Sequence, residues 1–407
     1  MKKLYTFIII LFFVNTTMAQ WYQQNSGTAN QLGSVYFTDD YAGYAVGENG
    51  TILKTTNGGT NWDVLASGTT NGLNSVYFTD VNTGYAVGWN GTILKTVDNR
   101  TNWGALSSGT TINLNAVCFT NGNTGYVVGD QDLTGHGIVL KTTDAGAHWI
   151  ALPGVLGYQL FSITFTDPLT GYVVGGYLPD GGGVILKTTN GGTNWTELKV
   201  TDYNLITIFF TDANTGYAAG YNGTILKTID GGTSWTDISF GTNFNYFYNS
   251  VYFTDPNTGY LVGGYYHSSQ GVILKTIDGG ATWNFLECGT IAYFNSVFFP
   301  DANTGYTVGG VGTILKTGDG GGPMGVKEIT PILNTLKSYP NPACKNLTIE
   351  PVEKGSLYLF NLKGMVFQQQ EITKANATID ISNLPTGVYV LKLVEEKGLQ
   401  VGKFIKN

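Results

Sequence analysis

Apolar and polar residues alternate in short runs along most of this chain. Leu73–Phe78 is an alternating run rich in β-branched and aromatic residues, and Gly84–Gly88 and Thr92–Thr96 are two further short runs. Clusters of Asn, Asp and Gly separate them, which is typical of strands joined by hairpins. Together with the segment after Trp103, the pattern predicts four antiparallel strands in one unit.

The unit recurs along the chain, and an eight-residue turn marks each copy. The turn begins at Thr55–Trp62 and returns at Thr96–Trp103, Thr142–Trp149, Thr188–Trp195, Thr228–Trp235 and Thr276–Trp283. A seventh copy begins at Thr317 but lacks its tryptophan. A period of roughly 40–48 residues indicates a repeat array. Four strands per period form one blade of a β-propeller, so we expect an all-β, seven-bladed ring.

The N-terminal segment supplies what the seventh copy lacks. Trp21–Thr28 matches the outer-strand segment Trp62–Thr69 but has no repeat before it. We therefore expect this segment to be the fourth strand of the last blade, which joins the two ends of the ring and removes an exposed sheet edge. The propeller is predicted to span residues 20–322.

The residues of the repeated turn can stabilise the turn itself. Its threonine hydroxyl and its Asp or Asn side chain can accept hydrogen bonds from the backbone of the turn, its glycines permit positive φ, and its tryptophan can pack across the hairpin. We assign a structural role to Asn57, Trp62, Asp98, Trp103, Asp144, Trp149, Asn190, Trp195, Asp230, Trp235, Asp278, Trp283, Asp319 and Trp21.

The two ends of the chain differ from the repeats. Residues 1–19 carry two lysines, an apolar core and a small-residue cleavage site, which predicts a secretory signal peptide. That core is too short to span a membrane, and the mature chain is expected to have no transmembrane span. Residues 323–336 read as a linker. Short alternating strands in residues 337–407 predict a small Ig-like β-sandwich.

Charge and composition narrow the function. Residues 20–325 hold 9 Lys and Arg against 21 Asp and Glu, an acidic balance that argues against nucleic-acid binding. The three cysteines are scattered and form no disulfide framework. The three histidines, His136, His148 and His267, are too dispersed for a recognisable metal site. We expect no metal and no cofactor.

The C-terminal segment resembles a known family through several spaced motifs. Pro340, Asn341 and Pro342 open the segment, Gly387 and Tyr389 belong to an Asn-Leu-Pro-x-Gly-x-Tyr stretch, and Lys403 and Lys406 lie in a lysine-rich final strand. This order is similar to the C-terminal sorting domain of the type IX secretion system of Bacteroidetes. The resemblance implies the type IX machinery as a partner, and a secreted, cell-surface destination associated with the outer membrane.

The propeller resembles the photosystem II assembly and stability factor family, and more widely the Asp-box repeats of bacterial neuraminidases. The resemblance lies in Thr-Gly-Tyr-Ala-Val-Gly, Asn-Gly-Thr-Ile-Leu-Lys-Thr and the repeated turn. It implies a seven-bladed ring, but the secreted setting gives no reason to transfer photosystem assembly itself. A sialidase is nearly excluded because it needs three arginines, and residues 20–325 contain only Arg100.

Two other functional readings stay open. A glycoside hydrolase of the Asp-box type would need two carboxylates across a cleft, and its candidates are Asp130, Asp132, Asp180 and Glu287. An envelope assembly chaperone rests on family analogy alone. A lysine also recurs once per blade, from Lys54 to Lys316, and could in principle form an anion-binding ring. We favour a packed stem whose head reaches a carboxylate or solvent.

Insertions point to one face of the ring. Extra residues occur in the second hairpins of blades three, four and six, at Asp130–Gly137, Gly176–Gly183 and Gly264–Gly271, and in the connections into blades four and six, at Pro153–Tyr158 and Thr242–Tyr248. Insertions gathered on one face are the usual sign of a binding surface. The candidate ligand-binding residues are Tyr177, Asp180, Tyr246, Tyr248, Tyr265, Tyr266 and His267. The favoured hypothesis is a non-catalytic binding or scaffold module that takes a glycan or a surface protein.

Overall fold

The computed structural model divides the chain into two compact units, residues 1–323 and 324–407. It describes residues 21–98, 102–153, 155–177, 181–239, 246–266, 268, 270–288, 290, 292–322, 334–350, 355–361, 366–372, 377–395 and 398–407. The predicted signal peptide lies outside the described residues. The structure is all-β, with single 3₁₀ turns at Glu48–Gly50, Trp89–Gly91 and Gly310–Gly312.

The first unit contains seven antiparallel sheets among its described residues, and each sheet is one blade. The first strand, β1, is Tyr22–Gln24. Blade one contains β2 (Leu32–Phe37), β3 (Gly43–Gly47), β4 (Ile52–Thr55) and β5 (Asp63–Leu65). Blade two contains β6 (Leu73–Phe78), β7 (Gly84–Gly88), β8 (Ile93–Thr96) and β9 (Gly104–Leu106). Blade three contains β10 (Leu114–Phe119), β11 (Gly125–Gln131), β12 (His136–Thr142), β13 (Ile150–Ala151) and a short added strand, β14 (Val155–Leu156).

The remaining blades follow the same order. Blade four contains β15 (Tyr158–Phe165), β16 (Gly171–Tyr177), β17 (Gly183–Thr188) and β18 (Thr196–Thr201). Blade five contains β19 (Leu205–Phe210), β20 (Gly216–Gly220), β21 (Ile225–Thr228) and β22 (Thr236–Asp237). Blade six contains β23 (Tyr246–Phe253), β24 (Gly259–Tyr265), β25 (Gly271–Thr276) and β26 (Asn284–Leu286). Blade seven contains β27 (Phe294–Phe298), β28 (Gly305–Gly309) and β29 (Ile314–Thr317), with β1 as its outer strand.

The N-terminal strand completes the last blade. Tyr22, Gln23 and Gln24 pair antiparallel with Lys316, Leu315 and Ile314. Trp21 is 2% exposed and packs edge-on against Phe299, at a centroid distance of 5.9 Å. The strand therefore occupies in blade seven the place that β5 occupies in blade one, and the first and last segments of the propeller lie in one sheet.

The first strand of each blade lies innermost and touches the first strands of both neighbours. Its serine or threonine accepts a hydrogen bond from a backbone N–H of the next blade in five of the seven junctions, as Ser34 does from Val76 and Ser296 from Val35, at 3.2–3.3 Å. The small hydroxyl side chains thus satisfy backbone donors between blades, where strand pairing is absent.

The glycine that opens each second strand makes room for an aromatic ring. A Cβ atom on Gly43 would lie 2.5 Å from the ring of Phe37, and the same overlap with the blade's own phenylalanine recurs in the other six blades. The phenylalanine in turn stacks on a tyrosine of the preceding blade, with centroid distances of 3.9–4.4 Å in all seven junctions. Both residues of the Gly-Tyr pair therefore serve the contact between blades: the glycine leaves space for the phenylalanine of its own blade, and the tyrosine stacks on the phenylalanine of the next blade.

Blades two to seven each donate hydrogen bonds to the repeated turn of the next blade. Tyr85 Oη and Lys95 Nζ both donate to the carbonyl oxygen of Ala145, at 2.8 and 2.7 Å. Blades three to seven repeat the arrangement, and blade seven donates through Tyr306 and Lys316 to Gly58 of blade one. We call this pair of donors with its shared carbonyl the inter-blade clamp. In every blade the lysine ammonium also lies 5.2–5.7 Å from the centre of the tyrosine ring.

The second unit is a two-sheet sandwich. One sheet contains β30 (Asn334–Thr335), β33 (Gly355–Asn361), β34 (Val366–Ile372), β36 (Gly387–Glu395) and β37 (Gly398–Lys406). The other contains β31 (Lys337–Tyr339), β32 (Asn346–Glu350) and β35 (Ala377–Asp380). The predicted linker is wrong at its C-terminal end, because Asn334–Thr335 pair with the last strand and Leu336 is buried in the sandwich core. Residues 323–333 of that linker lie outside the described part.

We expect Trp21→Ala to lower the free energy of unfolding of the propeller by about 3 kcal/mol, because it empties a buried aromatic site at the ring closure. Urea unfolding of the full chain, followed by circular dichroism, measures the loss. Trp89→Ala is the matched control, because Trp89 is 48% exposed, and should change the value by less than about 0.5 kcal/mol. Equal losses in the two variants would show that the closing strand contributes little.

The clamp tyrosines predict alkaline unfolding. Desolvation raises the pKa of Tyr44, Tyr85 and Tyr217 from 10.0 to about 12. Since the folded pKa exceeds the unfolded one, their contribution is fully present below pH 10 and is lost as pH rises from 10 towards 12. Desolvation lowers the pKa of Lys275 and Lys316, which has the opposite effect on stability as the pH rises.

The melting temperature should therefore stay constant up to about pH 10 and fall above it. Scanning calorimetry across this range measures the dependence, with Tyr217→Phe as the informative variant. Phenylalanine cannot ionise, so the variant should start from a lower melting temperature but lose less of it in alkali. A flat profile to pH 12 in the unmodified protein would contradict the assignment.

Candidate functional site

The residues assigned to the repeated turn lie where a structural role requires. Thr55 Oγ1 accepts from the backbone N–H of Gly59 at 2.9 Å and donates to Asn57 Oδ1, which accepts from the backbone N–H of Asn61. Asp144, Asn190, Asp230 and Asp278 repeat this geometry, and Asp98 and Asp319 accept from the turn threonine. Trp62, Trp103, Trp149, Trp235 and Trp283 pack edge-on against the phenylalanine of their own blade, and Trp195 contributes to the core of blade four.

The recurring lysines are engaged in the clamp. Six of them, Lys95, Lys141, Lys187, Lys227, Lys275 and Lys316, donate to a backbone carbonyl of the next blade at 2.7–2.9 Å. Lys54 lies over the ring of Tyr44 in the same way. The stems pack as expected, but the expectation that the heads reach a carboxylate or solvent is wrong for these six. The six ammonium groups bind backbone carbonyls between blades and do not form an anion-binding ring.

The positions that vary between blades meet at the axial opening of the inserted face. Two residues of each blade lie there. One precedes the first-strand leucine or phenylalanine (Tyr248 in blade six), and the other follows the second-strand glycine. The two are neighbours in every blade, joined by a backbone hydrogen bond or by strand register. We call these pairs the axial rim. In order from blade one they are Gln31 with Glu48, Gly72 with Trp89, Asn113 with Asp130, Gln159 with Gly176, Asn204 with Tyr221, Phe247 with Gly264, and Tyr293 with Gly310.

Large and small residues are complementary within the rim pairs. A Cβ atom on Gly72 would lie 3.2 Å from the Trp89 ring, and one on Gly264 would lie 3.0 Å from the Phe247 ring. A Cβ atom on Gly310 would lie 3.3 Å from the Tyr293 ring. Each glycine thus accommodates the aromatic ring of its own pair. The rim is built from mutually adjusted pairs, in contrast to the uniform residues beneath it.

Blades five to seven give the rim an aromatic side. The Tyr266 ring lies 5.5 Å from Tyr221 and 5.4 Å from Phe247, and Phe247 lies 6.1 Å from Tyr293. Tyr266 and Tyr221 are 43% and 37% exposed. Tyr293 Oη donates to Gln31 Oε1 at 2.6 Å, which carries the network across to blade one. A continuous aromatic surface therefore spans three blades and is open to solvent.

Blades one to three give the rim a polar side. The Asp130 carboxylate accepts from the amides of Asn113 and Asn115 at 3.0 and 2.8 Å. Asn113 Oδ1 accepts from the backbone N–H of Asn90, which connects blade three to blade two. Trp89 projects from this polar side. All eight tryptophans lie among the described residues, and Trp89 is the exposed one.

The predicted ligand residues separate into different environments. Tyr266 and Tyr177 are exposed, and Tyr177 packs edge-on against Tyr158. Tyr246 and Tyr265 are half-buried on the other side of blade six, where their hydroxyls lie 3.1 Å apart. Asp180 and His267 lie outside the described residues.

The prediction that Tyr248 contacts a ligand is wrong. Tyr246–Tyr248 belong to a strand and not to a loop, and alternation along that strand turns Tyr248 into the core of blade six, where it is 1% exposed. The same alternation directs Phe247 to the rim. The extra residues Tyr246–Tyr248 therefore lengthen a strand of blade six.

Several rim residues were not found from the sequence. Trp89, Tyr221 and Tyr293 lie in blades without an insertion, so a search for extra length passes over them. What distinguishes these residues in the sequence is that the residue type at their position changes from one repeat to the next. The residue after the second-strand glycine is Glu48, Trp89, Asp130, Gly176, Tyr221, Gly264 or Gly310, whereas the glycine before it is constant.

Of the four candidate catalytic carboxylates, Asp180 lies outside the described residues, whereas Asp130 and Asp132 already accept hydrogen bonds within the protein. Asp132 accepts from Thr134 and from the backbone of His136 within its own hairpin, and these hydrogen bonds lower its pKa. Asp130 belongs to blade three and Glu287 follows the outer strand of blade six.

The resolved pKa shifts of other carboxyl groups go in the same direction as that of Asp132. The backbone N–H of His148 lowers the pKa of Asp144 to about 2, and the Ser234 hydroxyl lowers that of Asp230 to about 2. Wherever a carboxyl pKa shift is resolved in the described residues, it is downward.

Among the described residues, no group of three or more His, Cys, Asp or Glu side chains is arranged to hold a metal ion. No helix in the described part of the chain has the length and apolar character needed to cross a membrane.

The motifs of the C-terminal unit converge on the last strand. Asn341 Nδ2 donates to the Lys403 carbonyl at 3.1 Å, and Asn341 Oδ1 accepts from the backbone N–H of Ile405 at 2.9 Å. Pro340 and Pro342 flank this asparagine, and the peptide bonds before both prolines are cis. Gly387 pairs with Lys406, and the Tyr389 ring stacks on Phe404 at 5.5 Å. Lys403 is exposed, whereas Lys406 is 7% exposed.

Comparison with known proteins agrees with both units. Residues 65–196 and 194–290 match the family of photosynthesis system II assembly factor YCF48, and residues 337–407 match the secretion system C-terminal sorting domain. No curated protein matches the chain.

The solved structures show the fold. A structure of YCF48 bound to D1 peptide has a TM-score of 0.59 at 21% identity, over 73% of this chain and 96% of that one. YCF48 from Cyanidioschyzon merolae has a TM-score of 0.59 at 20% identity, over 74% and 98%. The GH74 enzyme of Niastella koreensis has a TM-score of 0.60 at 15% identity, over 95% and 69%.

The fold and the tail define a β-propeller of the bacterial neuraminidase repeat type that carries a sorting domain of the type IX secretion system. The tail marks it for secretion and attachment at the cell surface. Since the matched repeats cover more than half of the chain, the protein belongs to the YCF48 family of photosynthesis system II assembly factors. The matched tail shows that this member is handled by the type IX machinery.

Truncation of two tyrosines of blade six should destabilise the propeller to different extents. We expect Tyr248→Ala to lower the free energy of unfolding by about 3 kcal/mol, because it leaves a cavity in the blade core. Tyr266→Ala removes a half-exposed ring and should cost less than about 1 kcal/mol. Urea unfolding of the two variants beside the unmodified chain measures both values. A large loss for Tyr266→Ala would make its ring a structural element.

Proposed function

We propose that the protein is a non-catalytic binding module that the type IX system delivers to the cell surface, and that it binds its ligand at the axial rim. The observation that carries this proposal is the exposed aromatic and amide surface at the variable positions of an otherwise uniform repeat. Scaffold positions repeat because each blade must contact the next. The rim positions belong neither to the clamp nor to the stacked layer of rings, so the contacts that recur between blades do not fix them.

The chemistry of the rim supports binding. Exposed indole and phenol rings supply large contact areas at a low cost in side-chain entropy, and amides fix orientation by hydrogen bonds. Trp89, Tyr221 and Tyr266 provide the rings, and the internal hydrogen bonds of Asn113 and Gln31 hold the rim around them in place. A related structure is of YCF48 bound to a D1 peptide, so this fold accommodates a peptide ligand in that protein.

Hydrolysis is the rival, since a GH74 enzyme has the same fold type. A general acid needs a carboxyl with a raised pKa, and two carboxyls must face each other across a cleft. In the described residues, Asp130 is bound by two amides and Asp132 by its own hairpin, and the resolved carboxyl shifts are downward. These contacts support a binding role over a catalytic one.

A combined binding and turnover assay tests the proposal. The full chain is applied to a glycan array and to an array of synthetic peptides, and every bound or soluble oligosaccharide is checked for cleavage products by mass spectrometry. We expect saturable binding without products. Trp89→Ala and Tyr266→Ala should each weaken that binding about fivefold, the value of one aromatic contact of about 1 kcal/mol.

Tyr41→Ala is the matched control, because Tyr41 is 67% exposed in the first hairpin loop of blade one, on the opposite face. It should leave affinity unchanged. Product formation that depends on Asp130 would replace the proposal with a hydrolase. Binding that Tyr41→Ala weakens as much as Trp89→Ala would move the site away from the rim.

A further inference from the structure

The clamp leaves the propeller with almost no free positive charge. Residues 20–325 hold 9 Lys and Arg, and seven of these are the lysines that recur once per blade. Six of the seven donate to backbone carbonyls at 2.7–2.9 Å, and the seventh, Lys54, lies over its tyrosine ring as the others do. Lys199 and Arg100 are the remaining cations, against 21 carboxylates.

Neutral donors hold most of the described carboxylates of the propeller. The ion pairs within 4.0 Å in the described residues are two short contacts inside turns, His136 with Asp132 and His148 with Asp144. Hydrogen bonds from backbone N–H groups hold most hairpin aspartates, and neutral amides hold Asp130. The surface potential of this unit is therefore negative, and it attracts cations over about a Debye length of 10 Å.

At the rim this potential coincides with exposed aromatic rings. Glu48 and Asp130 are rim residues, and no Lys or Arg belongs to a rim pair. The backbone N–H of Glu48 donates to the Gln31 carbonyl, and Gln31 Oε1 accepts from Tyr293 Oη at 2.6 Å, so Glu48 lies beside the aromatic side of the rim. Trp89 stands on the next blade, with its ring over Gly72. An ammonium or guanidinium group can pair with the carboxylate and lie on the rings at the same time.

A groove of about 820 Å³ in blade one begins one residue after Glu48. Its lining consists largely of Ser, Thr, Asn and Gly residues, at Gly27, Thr28, Asn30, Asn49–Thr51 and Ser67–Asn71, together with Val64, Leu65 and Ala66. Such a surface offers donors and acceptors to the main chain of an extended peptide and has no deep pocket for a compact ligand.

We infer that the ligand of the rim is an extended polypeptide segment with lysine or arginine side chains, whose cationic heads lie between Glu48 and the aromatic rings while its backbone follows the groove. This inference rests on the proposed function and specifies its ligand. Nucleic acids and acidic polysaccharides are repelled by the same potential. A neutral glycan gains from the rings but not from the charge.

Titration of matched peptides into the full chain tests the inference. The probes are a synthetic peptide of repeated Gly-Ser-Lys and two analogues with Gln or Glu in place of Lys, together with a neutral cello-oligosaccharide. Trp89 is the exposed indole, so its fluorescence reports occupancy, and calorimetry gives the affinity. We expect the lysine peptide to bind about fivefold more tightly than the glutamine peptide, and added salt to weaken it.

Two charge variants test whether the cationic group of the peptide binds at Glu48. Glu48→Gln should weaken the lysine peptide about threefold and leave the glutamine peptide unchanged. Asp40→Asn is the matched control, because it removes the same charge from the opposite face of the same blade. Melting temperatures of both variants should equal that of the unmodified protein. Equal weakening by the two variants would show a diffuse field and overturn the specific placement at Glu48.

The remaining outcomes separate the two proposals. If the glutamine peptide or the oligosaccharide binds as tightly as the lysine peptide, and Trp89→Ala weakens that binding, the cationic ligand is wrong while the binding rim stands. If no probe changes Trp89 fluorescence or gives heat at any salt concentration, the cationic ligand is wrong as well, and the array experiment then decides the proposed function by itself.

Discussion

The inter-blade clamp is the interaction on which the propeller depends. Blades are sheets that do not share strands, so nothing in strand pairing fixes how one blade sits on the next. A tyrosine hydroxyl and a lysine ammonium converge on one carbonyl of the following blade, and the tyrosine ring stacks on that blade's phenylalanine. The repeated turn must present its carbonyl at a defined place, which explains why its threonine, aspartate and glycines recur together.

The clamp also distinguishes the residues that hold the blades together from the residues of the rim. Residues that contact the next blade are fixed by geometry and appear in every repeat. The rim pairs lie beyond the stacked layer, and their residues differ from blade to blade. Where they contact a neighbouring blade, they do so through side chains that do not recur, as Tyr293 does with Gln31 and Asn113 with the backbone of Asn90. Aromatic residues have accumulated on blades five to seven and polar residues on blades one to three.

The repeat pattern was sufficient to predict the blades, their strands and the tail, because strand alternation and turn chemistry are local properties. It was insufficient for the partner of Lys187, since the carbonyl of Gly231 lies in the next repeat and has no side-chain signature. It also misplaced Tyr248. Whether added residues form a loop or lengthen a strand is decided by pairing with Gly263, and one residue of register decides whether a ring is buried or exposed.

Ring closure by Tyr22–Gln24 sets an order for folding during export. This strand is made among the first residues of the propeller, but its partner, Ile314–Thr317, is made among the last. Blades one to six can each form their own four-stranded sheet as they emerge, whereas blade seven has to recruit a segment made almost three hundred residues earlier. Until then Trp21 lacks its contact with Phe299 and the ring has two open edges. The sorting unit follows the seventh blade in the chain, so the signal for the final secretion step is completed only after every part needed to close the ring has been made.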